Sequence, residues 1–464
     1  MNKTVLVVCL LVAVALGRAN AQESAGAAAA PKVVLIIGDG MDQHQITIAR
    51  NYLAGYDGRL TLDSLPVRSS VQIQTVAEEN PAVPEYVADS ANTATSMASG
   101  IVTSAGRIGT TAGTDLDAPT IMELAAAAGR GTGIVTTSSV TDATPASFVA
   151  HVSYRLCEGP RAMLRTGAGN SALSGDCPAD LKANGGKGSI AEQIAASRLD
   201  IVLGGGARYF GQTAEGETTK TVRDLAVESG FRVVGTAAEL DSLTRGGKVL
   251  GLFAPGTMPV QWRGAGGAQA QRVQRDENGR PVPPEEFGCE PDPAYGATPP
   301  LTAMARAALA HLDGRSFVLM IESASIDKQS HVRRPCGQIG ELEQLDDTLK
   351  LVLEYAAAHP ETLVLVTADH SQAAQLVPET SWLAGLNAAS PGYFARVRTP
   401  EGAVMGINYA TNDSMLQEDH TGADVPLLAY GPRVEDIPST VRQSDIFGIM
   451  LRHLRLTPEA PASR

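Results

Sequence analysis

Aromatic side chains are scarce, 4% of the 464 residues with only 2 Trp. Aliphatic packing must therefore build the core, and an apolar share of 44% at this length is ample for a large one. Positive charge is also short: Lys+Arg is 37 against Asp+Glu 50, so 37 − 50 gives −13. That deficit speaks against a nucleic-acid-binding surface, since phosphate backbones reward basic patches. Chemistry on phosphates remains open if bound cations reverse the field locally. No apolar run approaches the roughly 20 residues of a membrane-spanning helix, so no membrane span is expected. No C-x-x-C spacing occurs, which disfavours zinc held by thiolates. A Gly-x-Ser-x-Gly elbow is missing too, which disfavours an α/β-hydrolase triad. No internal repeat recurs at a fixed period.

The chain opens with the marks of a signal peptide over residues 1–21. Lys3 gives a positive start, Val5 to Leu16 is a short apolar run, and Ala19-Asn20-Ala21 is a small-x-small cleavage site. Lys3 and Arg18 leave with it and no acid does, so −13 − 2 gives a mature charge of −15. The mature protein is expected to be exported, periplasmic or secreted. Of 5 cysteines, Cys9 departs with the leader, leaving Cys157, Cys177, Cys289 and Cys336. An even count in an exported protein suggests two disulfides. Four cysteines allow three pairings; Cys157–Cys177 with Cys289–Cys336 closes the shortest loops.

After an Ala/Gly-rich linker (Glu23 to Ala30), Lys32 to Gly40 reads as a buried strand, a continuous apolar run ending in Gly-Asp-Gly. Similar runs recur at Gly133 to Thr137, Ile201 to Gly205, Lys248 to Phe253, Phe317 to Glu322 and Thr362 to Asp369. Helical stretches lie between them at Thr120 to Ala128, Ser189 to Ser197, Leu301 to Leu312 and Ile339 to Ala358. This alternation predicts an α/β fold: a large, mostly parallel central sheet flanked by helices on both faces. The expected organisation is one domain over 22–464, with insertions at about 255–300 and 372–419 where the pattern weakens.

In open parallel sheets, ligands bind beyond the carboxyl ends of the strands. Asp39 follows one such end, Glu322 another and Asp369-His370 a third. Asp327 and His331 stand i, i+4, on one face of a helical turn. His420 precedes a further apolar segment, Val425 to Tyr430. Taken singly, an Asp before Gly is a turn residue and an i, i+4 Asp/His pair a solvated helix face. Together they would repel or stay desolvated unless cations joined them. Mixed Asp/His ligation suits zinc, and all-oxygen ligation suits magnesium. Proximity alone nominates Asp42 and His44 beside Asp39.

Asp89-Ser90-Ala91 places Ser90 at the start of a small-residue helix, where free N–H groups favour an anion. Further on, Asp142 and Thr144 offer hard oxygens for magnesium. Arg155 is expected two to three turns along a helix opened by Pro145, its guanidinium free to grip two phosphate oxygens.

These residues resemble the bacterial alkaline phosphatases. Asp89-Ser90-Ala91 is similar to that family's nucleophile motif. Asp142-Ala143-Thr144-Pro145-Ala146 running to His151 and Arg155 is similar to its magnesium and arginine segment. The stretch from Glu322 through Asp327-Lys328-Gln329-Ser330-His331 to Glu341, then Thr367 to His370 and His420-Thr421-Gly422, completes the likeness over nearly the whole mature chain. The resemblance implies one zinc on Asp327, His331 and His420. It implies a second on Asp39, Asp369 and His370, with Ser90 as the variable ligand. Magnesium would sit on Asp39, Thr144 and Glu322, with Asp142 acting through water. Lys328 would reach the phosphate through water, and Lys328 with Asp142 resembles the subgroup that binds magnesium tightly. The resemblance also implies a homodimer and the disulfides Cys157–Cys177 and Cys289–Cys336. Members often carry a histidine two residues beyond the position of His370, where this chain has Gln372.

The implied activity is hydrolysis of small phosphate monoesters to inorganic phosphate, with broad specificity, through a phosphoserine on Ser90 steadied by Arg155. Two rivals share the metal core: a relative acting on diesters, sulfates or phosphonates, and a protein that binds metal and phosphate without turnover.

Overall fold

A computed structural model describes residues 30–164, 176–379 and 388–457. The expected leader, 1–21, lies outside the described residues. A ten-stranded sheet forms the centre. Its order is Thr440–Arg442, Val67–Gln72, Val425–Tyr430, Thr362–Ala368, Lys32–Gly38, Phe317–Ser323, Gly131–Ser139, Ile201–Gly205, Lys248–Leu252 and Phe231–Val234. Only Val425–Tyr430 runs against its neighbours; every other pairing is parallel. The alternating pattern thus gave the fold class and placed the main strands to within a residue or two.

The apolar runs are continuous because helices cover both sides of the sheet, and all seven residues of Lys32–Gly38 are buried. One helical layer contains Gln43–Leu53, Leu301–Leu312 and the long helix Pro335–Ala358. The other contains Ser90–Ser99, Ile121–Ala127 and Asp445–Leu454.

Register is what positions the site. Gly38 pairs with Ser323 on one side and Ala368 on the other. The next residue of the central strand, Asp39, therefore lies beside Asp369, and Glu322 is one register step back, level with Ile37. On the far side of its strand, Glu322 is level with Thr136.

The two weak-pattern stretches are less irregular than expected, and they meet. Gln271–Arg272 and Glu286–Phe287 from the first pair with Tyr393–Arg398 from the second. That strand joins Val404–Tyr409 and Gln375–Val377 in a small second sheet. Both disulfides form as the resemblance implied, Cys157–Cys177 and Cys289–Cys336. The second ties this region to Cys336 in the first turn of Pro335–Ala358, five residues after His331. Among the described residues, no helix is long and apolar enough to cross a membrane.

Candidate functional site

Three strand ends, the short helix Ser325–His331, the N-terminus of the helix Ser90–Ser99 and the loop leading to His420 supply the metal-ligand and serine side chains of the site. Asp39, Asp369 and Glu322 are buried at the carboxyl ends of neighbouring strands. Gly40 bends the chain away with φ +64°, and a Cβ there would come within 3.1 Å of the Cβ atoms of Asp327 and Gln372. Its N–H donates to Asp369 Oδ1 at 2.9 Å. Asp327 and His331 lie on the helix Ser325–His331, with Asp327 Oδ1 3.2 Å from His331 Nε2. His420 reaches the same carboxylate oxygen at 3.5 Å.

All three imidazoles point the same way electronically. Each places Nδ1 on a backbone carbonyl: His331 on Glu418 O at 2.5 Å, His370 on Ser371 O at 3.1 Å, His420 on Ala88 O at 2.8 Å. A carbonyl can only accept, so Nδ1 carries a proton, and in the neutral form of each ring Nε2 faces inward with its lone pair. The Nε2 atoms of His331 and His420 stand 3.1 Å apart, and the rings of His370 and His420 stack at 3.6 Å. Lone pairs facing one another at that distance call for a cation. Two buried carboxylate oxygens, Asp39 Oδ1 and Asp369 Oδ2, have no hydrogen-bond partner. The donor atoms gather in two groups, Asp327/His331/His420 and Asp39/Asp327/His370, and Asp369 Oδ2 is 3.5 Å from His370 Nε2. Imidazoles in their neutral form with unpaired carboxylates are the donor set zinc prefers, so these residues fit the two zinc ions the resemblance implied.

The electrostatics agree. Burial, with Asp369, Asp327 and Glu322 close by, pushes Asp39 well above the usual carboxylate range. Burial likewise lifts Glu322 to about 7, against hydrogen bonds from Thr136. Without a cation the site draws on its own imidazoles. Burial works to raise Asp327, but protonation of His331 first, with His420 and His370 adding to it, holds that carboxylate well below its ordinary value. Asp327 in turn raises His331 against burial. Burial and the neighbouring His370 lower His420 to about 4.

Ser90 begins the helix Ser90–Ser99, as expected, with Asp89 as its cap. Ser90 Oγ lies 3.1 Å from His370 Nε2. Arg155 arrives differently from the sequence expectation. The helix containing Pro145 is only Ala143–Ala146, and Asp142 rather than Pro145 opens it as the cap. The chain then leaves the helix because Val152 bridges to Ile108 and Ser153 N binds Asp180. Arg155 therefore projects from a turn, its N–H on Gly106 O at 2.7 Å. Its guanidinium spans Asp89 Oδ2 at 3.2 Å and Asp142 Oδ1 at 3.1 Å. Asp142 also binds Lys328 Nζ at 2.6 Å. Thr144 is buried within Ala143–Ala146.

For several neighbours that the sequence only nominated, the structure gives the actual contacts. Gln372 Nε2 donates to Asp327 Oδ1, so an amide stands where the family often has a histidine and keeps the carboxylate oriented. Asp42 caps Gln43–Leu53 and accepts from the hydroxyl of Ser371, the residue after His370; His44 is exposed. Asp89 acts on Arg155, a role its position before Ser90 did not suggest. His151 belongs elsewhere, bound to Glu123 Oε1 at 3.0 Å beside a cavity of about 580 Å³ that holds none of the candidate ligands.

Glu341, on Pro335–Ala358, is buried against Thr137, Ser323 and Gln344, and burial raises it from 4.5 to about 7. The carboxyl is raised above its unfolded value, so its contribution is full below about pH 4.5 and is lost as pH rises through about 7. Comparing denaturation of the wild type with Glu341→Gln should show the wild type losing on the order of 3 kcal/mol relative to the variant across that window. A parallel pH dependence of the two proteins would contradict this.

A family model described as alkaline phosphatase matches residues 30–414. The chain is 40% identical to a streptomycin-6-phosphate phosphatase of Streptomyces griseus over 96% of its own length and 95% of the relative's. It is 39% identical to the alkaline phosphatase of Escherichia coli, covering 92% and 86%. Among solved structures, the alkaline phosphatase of the Antarctic bacterium TAB5 superposes with a TM-score of 0.65 at 23% identity, covering 92% and 99%. At that identity the likeness is one of fold.

Proposed function

The chain belongs to the alkaline phosphatase family, and on that premise we propose an exported phosphatase of broad specificity that works through a phosphoserine on Ser90. It is a phosphoric monoester hydrolase. The observation that carries the proposal is the hydroxyl of Ser90, 3.1 Å from His370 Nε2, at the N-terminus of a ten-residue helix.

Asp327, His331 and His420 would hold one zinc, and Asp39, Asp369 and His370 a second with Ser90 as the exchanging ligand. Asp39, Thr144 and Glu322 would hold magnesium, Asp142 contributing through water. When bound, these ions would supply Lewis-acid activation of the serine hydroxyl and charge stabilisation at the leaving oxygen. The chain's own residues do the rest. Ser90 Oγ bonds to phosphorus as the ester oxygen departs, and water then displaces Ser90 to release inorganic phosphate. The N-terminal N–H groups of Ser90–Ser99 add positive field on the phosphate side.

Arg155 spends two of its five N–H donors on Asp89 and Asp142, leaving the others for phosphate oxygens. Those carboxylates hold the guanidinium plane before substrate arrives, which lessens the ordering cost of binding. Lys328, anchored on Asp142, adds a fixed positive charge nearby. All of these groups address phosphate and none the alcohol, so varied alcohols should be accepted. The disulfides support export, and a single domain with two insertions, assembled as a homodimer, completes the proposal.

The test is a comparison of rates on an aryl phosphate, an aryl diester and an aryl sulfate, with and without chelator. The monoester should be much the fastest and its turnover should vanish with chelation. Preference for the diester or sulfate would overturn the reading in favour of a superfamily relative. Stoichiometric phosphate uptake without alcohol release would leave a binding protein.

A further inference from the structure

The loop 410–419 delivers His420, yet its large apolar side chains, Met415 and Leu416, are 82% and 84% exposed. Apolar burial does not hold its crest. Two arginines do, through three consecutive carbonyls. Arg272 donates to Asp413 O at 2.8 Å, and Arg333 to Ser414 O at 2.6 Å and Met415 O at 3.3 Å. Both guanidiniums lie against the ring of Tyr393 in the small sheet, 4.9 and 3.8 Å from its centroid.

Arg333 Nε then meets Glu418 Oε1 at 2.7 Å, an ion pair whose side chains are 5% and 0% exposed. The other Glu418 oxygen accepts from Thr411 N and Oγ1, each at 2.8 Å. The main chain of Glu418 is given over to a neighbour: its N–H donates to His331 O at 3.0 Å, and its carbonyl accepts from His331 Nδ1. His420 follows two residues later. Arg333 follows His331 by two residues as well, with φ +60°, a left-handed conformation that a non-glycine residue keeps only where its surroundings impose it.

We propose that Arg333 and Glu418 are positioning residues for the site of Asp327, His331 and His420: a buried ion pair, touching neither metal nor substrate, sets the separation of the two imidazoles. The inference rests on the reading of that site as a zinc site. Removing one partner leaves the other charge buried and uncompensated, so the loop must move to hydrate it, and His420 moves with the loop. Asp39, Asp369 and His370 are placed instead by the register of the central sheet, so their site should be spared.

The test uses the metal-loaded full chain and the variants Arg333→Met, Glu418→Gln and the double. Zinc transfer to a chromogenic chelator is followed, with metal analysis before and after. In each variant one zinc per chain should be released about 10–100-fold more readily, the second as in wild type. The double variant should be no worse than the poorer single, because both remove one interaction. Arg333→Lys keeps the buried charge without the fork, should fall between, and serves if Arg333→Met does not fold. Wild-type release from the variants, or equal loss of both zincs, would overturn the proposal. Reduced stability of the metal-free variants with unchanged zinc affinity would do the same, marking the pair as merely structural. Wild-type protein that carries fewer than two zincs would sink the reading of the site itself.

Discussion

Ser90→Ala should lower turnover of an aryl phosphate a thousandfold or more, about 4 kcal/mol of barrier, while the chain keeps its fold and divalent metals. The side chain is buried but its structural duties are small. The helix is capped by Asp89, which accepts from Asn92 N, and Thr93 bonds back to Asp89 O. Loss of one oxygen therefore removes the proposed nucleophile and little else. Kinetics should be paired with acid trapping after exposure to labelled phosphate: one covalent phosphate per wild-type chain, none on the variant. A variant near the wild-type rate would end the covalent route, whatever its metal content.

Chelation has the other large expected effect. Stripping divalent metal should abolish turnover and lower the unfolding temperature, and both should return on adding zinc with magnesium. The cause is the crowding of carboxylates: Asp39, Glu322, Asp327 and Asp369 are all buried at one sheet edge. Without cations these buried carboxylates take up protons, first because burial strips their hydration and then because they repel one another, which is why Asp39 and Glu322 are raised. Each ion held at a hundred times its dissociation constant stabilises the native chain by about 2.7 kcal/mol. The sign with pH follows from Glu322, raised to about 7 against 4.5 when unfolded. The metal-free chain loses this group's contribution as pH rises through about 7, so the stability gap between loaded and stripped protein should widen toward alkaline pH. Calorimetry of both forms across that range checks it; a gap that narrows would contradict the account.

Much of this site was legible because its acids sit where strand runs end. Asp39, Glu322 and Asp369 each close a continuous apolar stretch, and ends of parallel strands share one edge of a sheet. Asp327 and His331 were legible through helical spacing, and Ser90 through the small residues that follow an acidic cap. The rest lacked any local signal. Asp89 reads as an ordinary cap, and nothing near it in sequence announces an arginine 66 residues later. The Arg155 segment was misjudged because Pro145 is compatible with a helix start, whereas a distant bridge to Ile108 ends that helix after one turn. The small second sheet was missed because two of its strands are only two residues long, too short for any periodicity, and their partners come from the far side of the long helix.

Composition, strand-end chemistry and motif order determined the fold class and the kind of reaction and nominated the reacting groups, since these depend on residue type and on short-range spacing. Only the tertiary structure decided which lone pairs face inward, how Arg155 is held and what keeps His331 and His420 together. Those depend on carbonyls and ion pairs contributed by segments up to 332 residues apart, as with His420 Nδ1 on Ala88 O. Hydrogen bonds act over about 3 Å of space and are indifferent to distance along the chain.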